Sequence, residues 1–204
     1  AQLLQAFSNE AAIAIENARL FQQVRQMAIT DPLTGMYNRR HFFEAARVEF
    51  ERARRYQHKL ALIMMDVDYF KQVNDRHGHM VGDAVLLAVA RLFNDKLREV
   101  DLVARYGGEE FVILLPETDT AAAVQVAERL RQALLEPILR QNGLEVTVSI
   151  SFGVADARDA ADLETLIHHA DEALYSTKAT RRGMVTAWGS PDQQDAIQAS
   201  GGKE

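Results

Sequence analysis

Cysteine is absent from the 204 residues. That excludes disulfides, thiolate zinc sites and cysteine nucleophiles, and it permits a reducing compartment without requiring one. An excess of positive charge is also missing: 29 acidic residues outnumber 23 basic ones, for a net charge of −6. The basic footprint of a duplex-binding protein is therefore lacking, and nucleic acid is not an expected partner. No apolar run approaches the ~18 residues that span a bilayer. The start carries no secretory-signal pattern either. It opens on "AQLLQAF" without a Met, so the chain is expected to be a piece of something longer. Core-forming residues are plentiful: 48% are hydrophobic. That is enough for a globular chain rather than a disordered one, of a size for one domain plus an appendage.

Residues 1–28 read as one long helix. Leu4, Phe7, Ala11, Ala14, Ala18 and Phe21 follow steps of three and four, and Ile13, Leu20 and Met27 recur every seven. A stripe that wide packs against a partner, either the helix's own domain or a second helix in a parallel stalk. "TDPLTGMYNRR" then brings turn chemistry, with Asn38 as a candidate cap for a helix running to about Gln57. "LALIMMDVD" is a short buried strand. A polar, glycine-containing segment over 69–82 leads to a helix from about Asp83 to Arg98. "DLVARYGGEEFVILLP" is a hairpin signal. A helix over 119–140, one long strand in "LEVTVSISFGVA", a helix over 160–180 and a short strand in "MVTAW" complete the pattern. Residues 189–204 are polar and Gly/Ser-rich and read as a flexible tail.

The hairpin poses a chemical question. Glu109 and Glu110 stand side by side at the mouth of an apolar strand, behind Gly107 and Gly108. Asp66 and Asp68 end the strand "LALIMMD", the sort of position where binding residues sit. If the two strands are neighbours, Asp66 and Glu109 converge. Carboxylates about 4 Å apart repel by up to roughly 4 kcal/mol at an effective dielectric near 20. Protonation of one acid, or a divalent cation between them, makes such a pair tolerable. Oxygen donors without His or Cys favour Mg²⁺ or Mn²⁺, completed by water and substrate phosphates. The glycines would leave room for that phosphorylated ligand. In "DYFKQVNDRHGHMVGD", backbone N–H groups and Lys71 could meet phosphate. Asn74 and Asp83 offer the acceptor and donor groups that a purine edge needs. Each also has an ordinary reading: a surface lysine, a turn residue, a helix cap, and for His79 a structural histidine.

These motifs together resemble the GGDEF domain of diguanylate cyclases, over about Ala28 to Trp188. The signature stands as "RYGGEEF", with Glu at its third position, accompanied by "DPLTGMYNRR", "DVDYFKQVNDRHGHMVGD", "SISFGVA" and "ADEALYSTK". The resemblance implies an α/β (α+β) fold of the nucleotidyl-cyclase or polymerase-palm type. A central, mostly antiparallel five-stranded sheet would be flanked by helices and preceded by the long N-terminal helix. It places the catalytic domain at 29–188. It implies condensation of two GTP into cyclic di-GMP with release of pyrophosphate, in a homodimer whose members each hold one GTP. Residues 1–28 are similar to the last helix of a GAF sensory domain, the end of an upstream sensor and linker.

The resemblance implies roles as well. Asp66, the carbonyl of Val67, Glu109 and Glu110 would hold the metal. Glu109 would also help deprotonate the attacking 3′-hydroxyl, and Lys71 would offset charge on the phosphates. Phe70, Asn74, His79 and Asp83 would form the nucleotide pocket, with Asn74 and Asp83 reading guanine. Lys178 and Arg182 would bind terminal phosphates. One stretch departs from the family: in "ATRRGMV", Arg181 takes a glycine position and Gly183 an asparagine position, which bears on where Arg182 points. Arg98 and Asp101 match an Arg-x-x-Asp product-inhibition site for cyclic di-GMP, with Arg129 as its second arginine. An exposed i,i+3 ion pair is the plain alternative for Arg98 and Asp101. The function expected is thus a signal-regulated, product-inhibited cytoplasmic diguanylate cyclase. Its rivals are a catalytically inactive GTP or cyclic di-GMP binding module and a structural dimerisation piece.

Overall fold

In the computed structural model, which describes residues 15–16, 29–141, 143–191 and 193, Asn38 marks the entry to the fold. Its side chain accepts a hydrogen bond from the His41 N–H and caps helix α1 (Arg39–Tyr56). The helix ends at Gln57, in the left-handed region with φ 56°. The chain then enters β2 (Leu60–Val67), all eight residues of which are buried. Of the expected helix over 1–28, only residues 15–16 are described, and they are helical. The rest of that helix and the tail beyond 193 lie outside the described residues.

β2 is the centre of a six-stranded sheet ordered β1-β3-β4-β2-β7-β8. Its strands are β1 (Tyr37–Asn38), β3 (Leu102–Arg105), β4 (Glu110–Pro116), β7 (Ile150–Asp156) and β8 (Val185–Ala187). The three central pairings are antiparallel and the two outer ones parallel. The expected five strands are joined by the two-residue β1 at one edge.

The two-residue period of a strand sorts side chains onto two cores. Ile63, Met65, Phe111, Ile113, Phe152 and Val154 face one side. There they meet α3 (His79–Lys96) and α4 (Thr120–Ala133) through Val85, Val89, Phe93, Ala127 and Leu130. Leu62, Met64, Val112 and Leu114 face the other side, against α1 and α5 (Leu163–Thr180). The continuous apolar run of β2 thus reflects a strand covered on both faces. α5 lies so close to the sheet that a Cβ on Gly153 would fall 2.1 Å from the Ala170 carbonyl oxygen.

Three elements differ from expectation. The helix over 119–140 stops at Ala133. Pro137 disfavours helical geometry at the residue before it and has no N–H to donate. The following residues form β5 (Leu139–Gln141), paired with β6 (Leu144–Val146) in a separate two-stranded sheet. The single strand expected over 144–155 is therefore divided into β6 and β7, because the two halves pair with different partners. The polar segment over 69–82 holds a short helix, α2 (Phe70–His77), and the first turn of α3.

Candidate functional site

The site lies where β2 and the β3–β4 hairpin end together. Asp66 pairs in register with Glu110 on β4 and Ser151 on β7. It shares the parity of Leu62 and Met64 and so faces α5. There the Lys178 ammonium lies 2.8 Å from its Oδ2. Asp66 is only 7% exposed, and burial raises its carboxyl above the ordinary aspartate range. The Lys178 hydrogen bond and charge work against that rise, and Asp68 adds to it. Glu109 is raised as well, first by burial and then by the Asp66 charge, with Lys178 opposing and Glu110 reinforcing. The backbone joins these groups, since the Val67 N–H donates to the Glu109 carbonyl at 3.1 Å.

The two glycines of the turn serve different ends. A Cβ on Gly107 would lie 2.2 Å from Glu110 Oε2, so Gly107 makes room for that carboxylate. A Cβ on Gly108 would meet nothing within 4 Å. Neither glycine has a positive φ. The turn is held by Arg105, which donates to the Gly108 carbonyl at 2.7 and 3.2 Å and to both oxygens of Asp31 at 3.1 Å. Asp31 also accepts from the Thr34 N–H and hydroxyl. Burial alone would raise its carboxyl, but the Thr34 hydrogen bonds and Arg105 hold it below the usual range.

Asp68 is the second buried acid. It accepts from Ser149 Oγ at 2.9 Å and Ser151 Oγ at 2.7 Å. The Arg182 guanidinium lies 3.3 Å from Asp68 Oδ1 and 4.9 Å from the Tyr69 ring centroid. Arg181 has an extended φ of −152°, which needs no glycine. Gly183 has φ +72°, the region that glycine adopts freely and asparagine tolerates. Its N–H donates to Ser151 Oγ. The departure in "ATRRGMV" is thus compatible with the backbone, while Arg182 is drawn towards Asp68.

The expected nucleotide residues gather around α2 and α3. Tyr69 begins α2 with φ 55°, and its carbonyl accepts from the Gln72 N–H at 2.8 Å and the Val73 N–H at 3.4 Å. Phe70 is buried in the core below, and Lys71 is exposed. Asn74 abuts Gly82. Asp83 is exposed within α3 and does not cap it, and His79 is exposed as the helix's first residue. Arg98, Asp101 and Arg129 also converge. The Arg98 N–H donates to Asp101 Oδ2 at 2.8 Å, and no Arg98–Asp101 ion pair forms. Burial raises the Asp101 carboxyl, against the Arg98 hydrogen bond and the charges of Arg98 and Arg129. Asp101 Oδ1 is buried without a hydrogen-bond partner.

Among the described residues no three acidic or histidine side chains form a metal cluster. Asp66 and Glu109 nonetheless fit an oxygen-binding divalent ion. Both are hard donors, and both carry a desolvation and repulsion cost that a cation would offset.

The family profile described as "Diguanylate cyclase, GGDEF domain" matches residues 28–184. The chain belongs to the GGDEF domain family. Diguanylate cyclase A of Treponema denticola is 35% identical over 188 residues, 90% of this chain and 50% of that protein, so this GGDEF chain spans half of that relative's length. The coiled coil and GGDEF domain of DgcB from Caulobacter crescentus, solved with c-di-GMP, superposes with TM-score 0.81 at 28% identity, over 90% of this chain and 98% of that one. The active GGEEF domain of a diguanylate cyclase from Vibrio cholerae has TM-score 0.70 and 34% identity, over 75% and 97% of the two chains. No helix among the described residues is long and apolar enough to cross a membrane.

Sequence reasoning missed Arg105, Asp31, Ser149, Ser151 and Gly82. Asp31 reads as turn chemistry and does cap a turn, so its bond to Arg105 leaves no local signal. Ser149 lies where the chain leaves one sheet for the other, and Ser151 is the second residue of β7.

Proposed function

We propose that residues 29–188 are the catalytic domain of a cytoplasmic diguanylate cyclase that condenses two GTP into cyclic di-GMP and two pyrophosphates. One observation carries the reading: two acids with raised carboxyl ranges, Asp66 and Glu109, stand at the end of β2 and in the signature turn, with the Lys178 ammonium 2.8 Å from Asp66.

Asp66, the Val67 carbonyl, Glu109 and Glu110 would hold Mg²⁺ or Mn²⁺. When bound, the ion neutralises phosphate charge and acidifies the 3′-hydroxyl. Glu109, at the signature turn, would also take the proton from the attacking hydroxyl. The 3′-oxygen of one GTP forms a bond to the α-phosphorus of the other. The bond to pyrophosphate breaks, and the proton passes to Glu109. Lys71 and Lys178 would balance charge on the phosphates, Lys178 from its place beside Asp66. Arg182 joins them by exchanging Asp68 for phosphate. Phe70 and His79 frame the pocket, while Asn74 and Asp83 read guanine.

Each chain supplies one such set, so closing both bonds of the ring requires a homodimer. Arg98, Asp101 and Arg129 form a separate site for the product. The unpartnered Asp101 oxygen and the Arg98 guanidinium suit a guanine edge and a phosphate.

The test is incubation with GTP and Mg²⁺ and chromatography of the products. Cyclic di-GMP and pyrophosphate support the reading. Metal-dependent GTP binding without turnover supports the inactive module instead.

A further inference from the structure

Gly82 is the fourth residue of α3, inside the helix, where alanine would favour helix formation more. The reason for glycine is local. A Cβ there would lie 1.9 Å from Asn74 Oδ1, 3.0 Å from Asn74 Cγ and 3.2 Å from Phe70 Cζ. The Asn74 amide therefore rests on the bare Cα of Gly82. Behind it, the Phe70 ring is only 7% exposed and has little room to retreat. The Asn74 backbone is fixed as well: its carbonyl accepts from the Gly78 N–H at 2.8 Å. Gly78, with φ 83°, closes α2 and opens α3, and its own carbonyl accepts from the Gly82 N–H at 3.2 Å. Asp83 follows directly. One point of backbone thus bears on the Asn74 amide and carries Asp83 as its next residue.

We propose that Gly82 is a specificity-determining positioning residue: by admitting the Asn74 amide against α3, it fixes the pair that distinguishes guanine from adenine. This rests on the reading of Asn74 and Asp83 given above. Gly82 acts through Asn74, since it offers the base no group of its own. A β-carbon at this position turns the amide away from the base edge.

The experiment measures binding of α,β-methylene GTP and α,β-methylene ATP, which cannot react, with Mg²⁺ present. It uses the wild-type chain, Gly82→Ala, Asn74→Ala and the double variant. The guanine-over-adenine preference is expected to fall roughly ten-fold in each single variant, the loss of one base-reading hydrogen bond. The double variant is expected to fall no further than Asn74→Ala, because the two act as one unit. An unchanged preference in Gly82→Ala, or additive losses, would overturn the inference while leaving the pocket reading intact. A wild-type chain with no guanine preference overturns the pocket reading and this inference with it. Should Gly82→Ala fail to fold, recovery of folding in the double variant supports the clash with Asn74. A double variant that stays unfolded while Asn74→Ala folds overturns it.

Discussion

Glu109 is held in a costly state. Burial and the Asp66 charge both oppose its ionisation, so the folded chain binds a proton there more tightly than the unfolded chain does. The cost to stability is fully present above the raised folded value, and it is absent below the unfolded value of about 4.3. Glu109→Gln removes the charge and keeps the shape. Without divalent ions, it is expected to raise the melting temperature at neutral pH, with the gain disappearing as pH falls towards 4. The same variant is expected to lose turnover. Near-normal cyclic di-GMP formation by Glu109→Gln would refute the role assigned to this residue. Asp66 carries the same sign, moderated by Lys178, which compensates its charge from α5.

The hairpin β3–β4 depends on a clamp made from a distant stretch of chain. Arg105 ties the Gly108 carbonyl to Asp31, 74 positions earlier. Both side chains of this ion pair are 17% exposed, so it is not an ordinary surface bridge. Arg105→Ala is expected to cost roughly 2–3 kcal/mol in urea unfolding at neutral pH, since it leaves Asp31 without its cation. Because the Asp31 carboxyl is held below its usual range, that contribution exists above about pH 4 and is lost as pH falls through the folded value. The penalty should therefore shrink in acid; a penalty independent of pH would mean that the charge is not what matters. This clamp also shows the limits of sequence reading. β2 was legible because burial on both faces leaves an unbroken apolar run. The junction of β6 and β7 was not. Val146, Val148 and Ile150 are all buried, so their alternation continues across a change of pairing partner. Asp66 and Glu109 were legible as acids at strand ends. The resemblance offered Lys178 as a phosphate ligand, but its pairing with Asp66 was not legible, as no local pattern joins α5 to β2.

At the scale of the molecule, the two proposed ligand sites occupy opposite ends of β3. Arg98 and Asp101 precede that strand, and the signature turn follows it. Arg98→Ala is accordingly expected to relieve inhibition by cyclic di-GMP while kcat stays unchanged; inhibition at the wild-type level would remove Arg98 from that site. In the proposed reaction, by contrast, two chains would have to meet, each bringing its own proposed guanine-reading and phosphate-binding groups. The most direct test is the rate of cyclic di-GMP formation from GTP and Mg²⁺, per chain, over a wide range of protein concentration. A rate per chain that climbs with concentration to a plateau is the predicted result. GTP binding with no cyclic di-GMP at any concentration would contradict it.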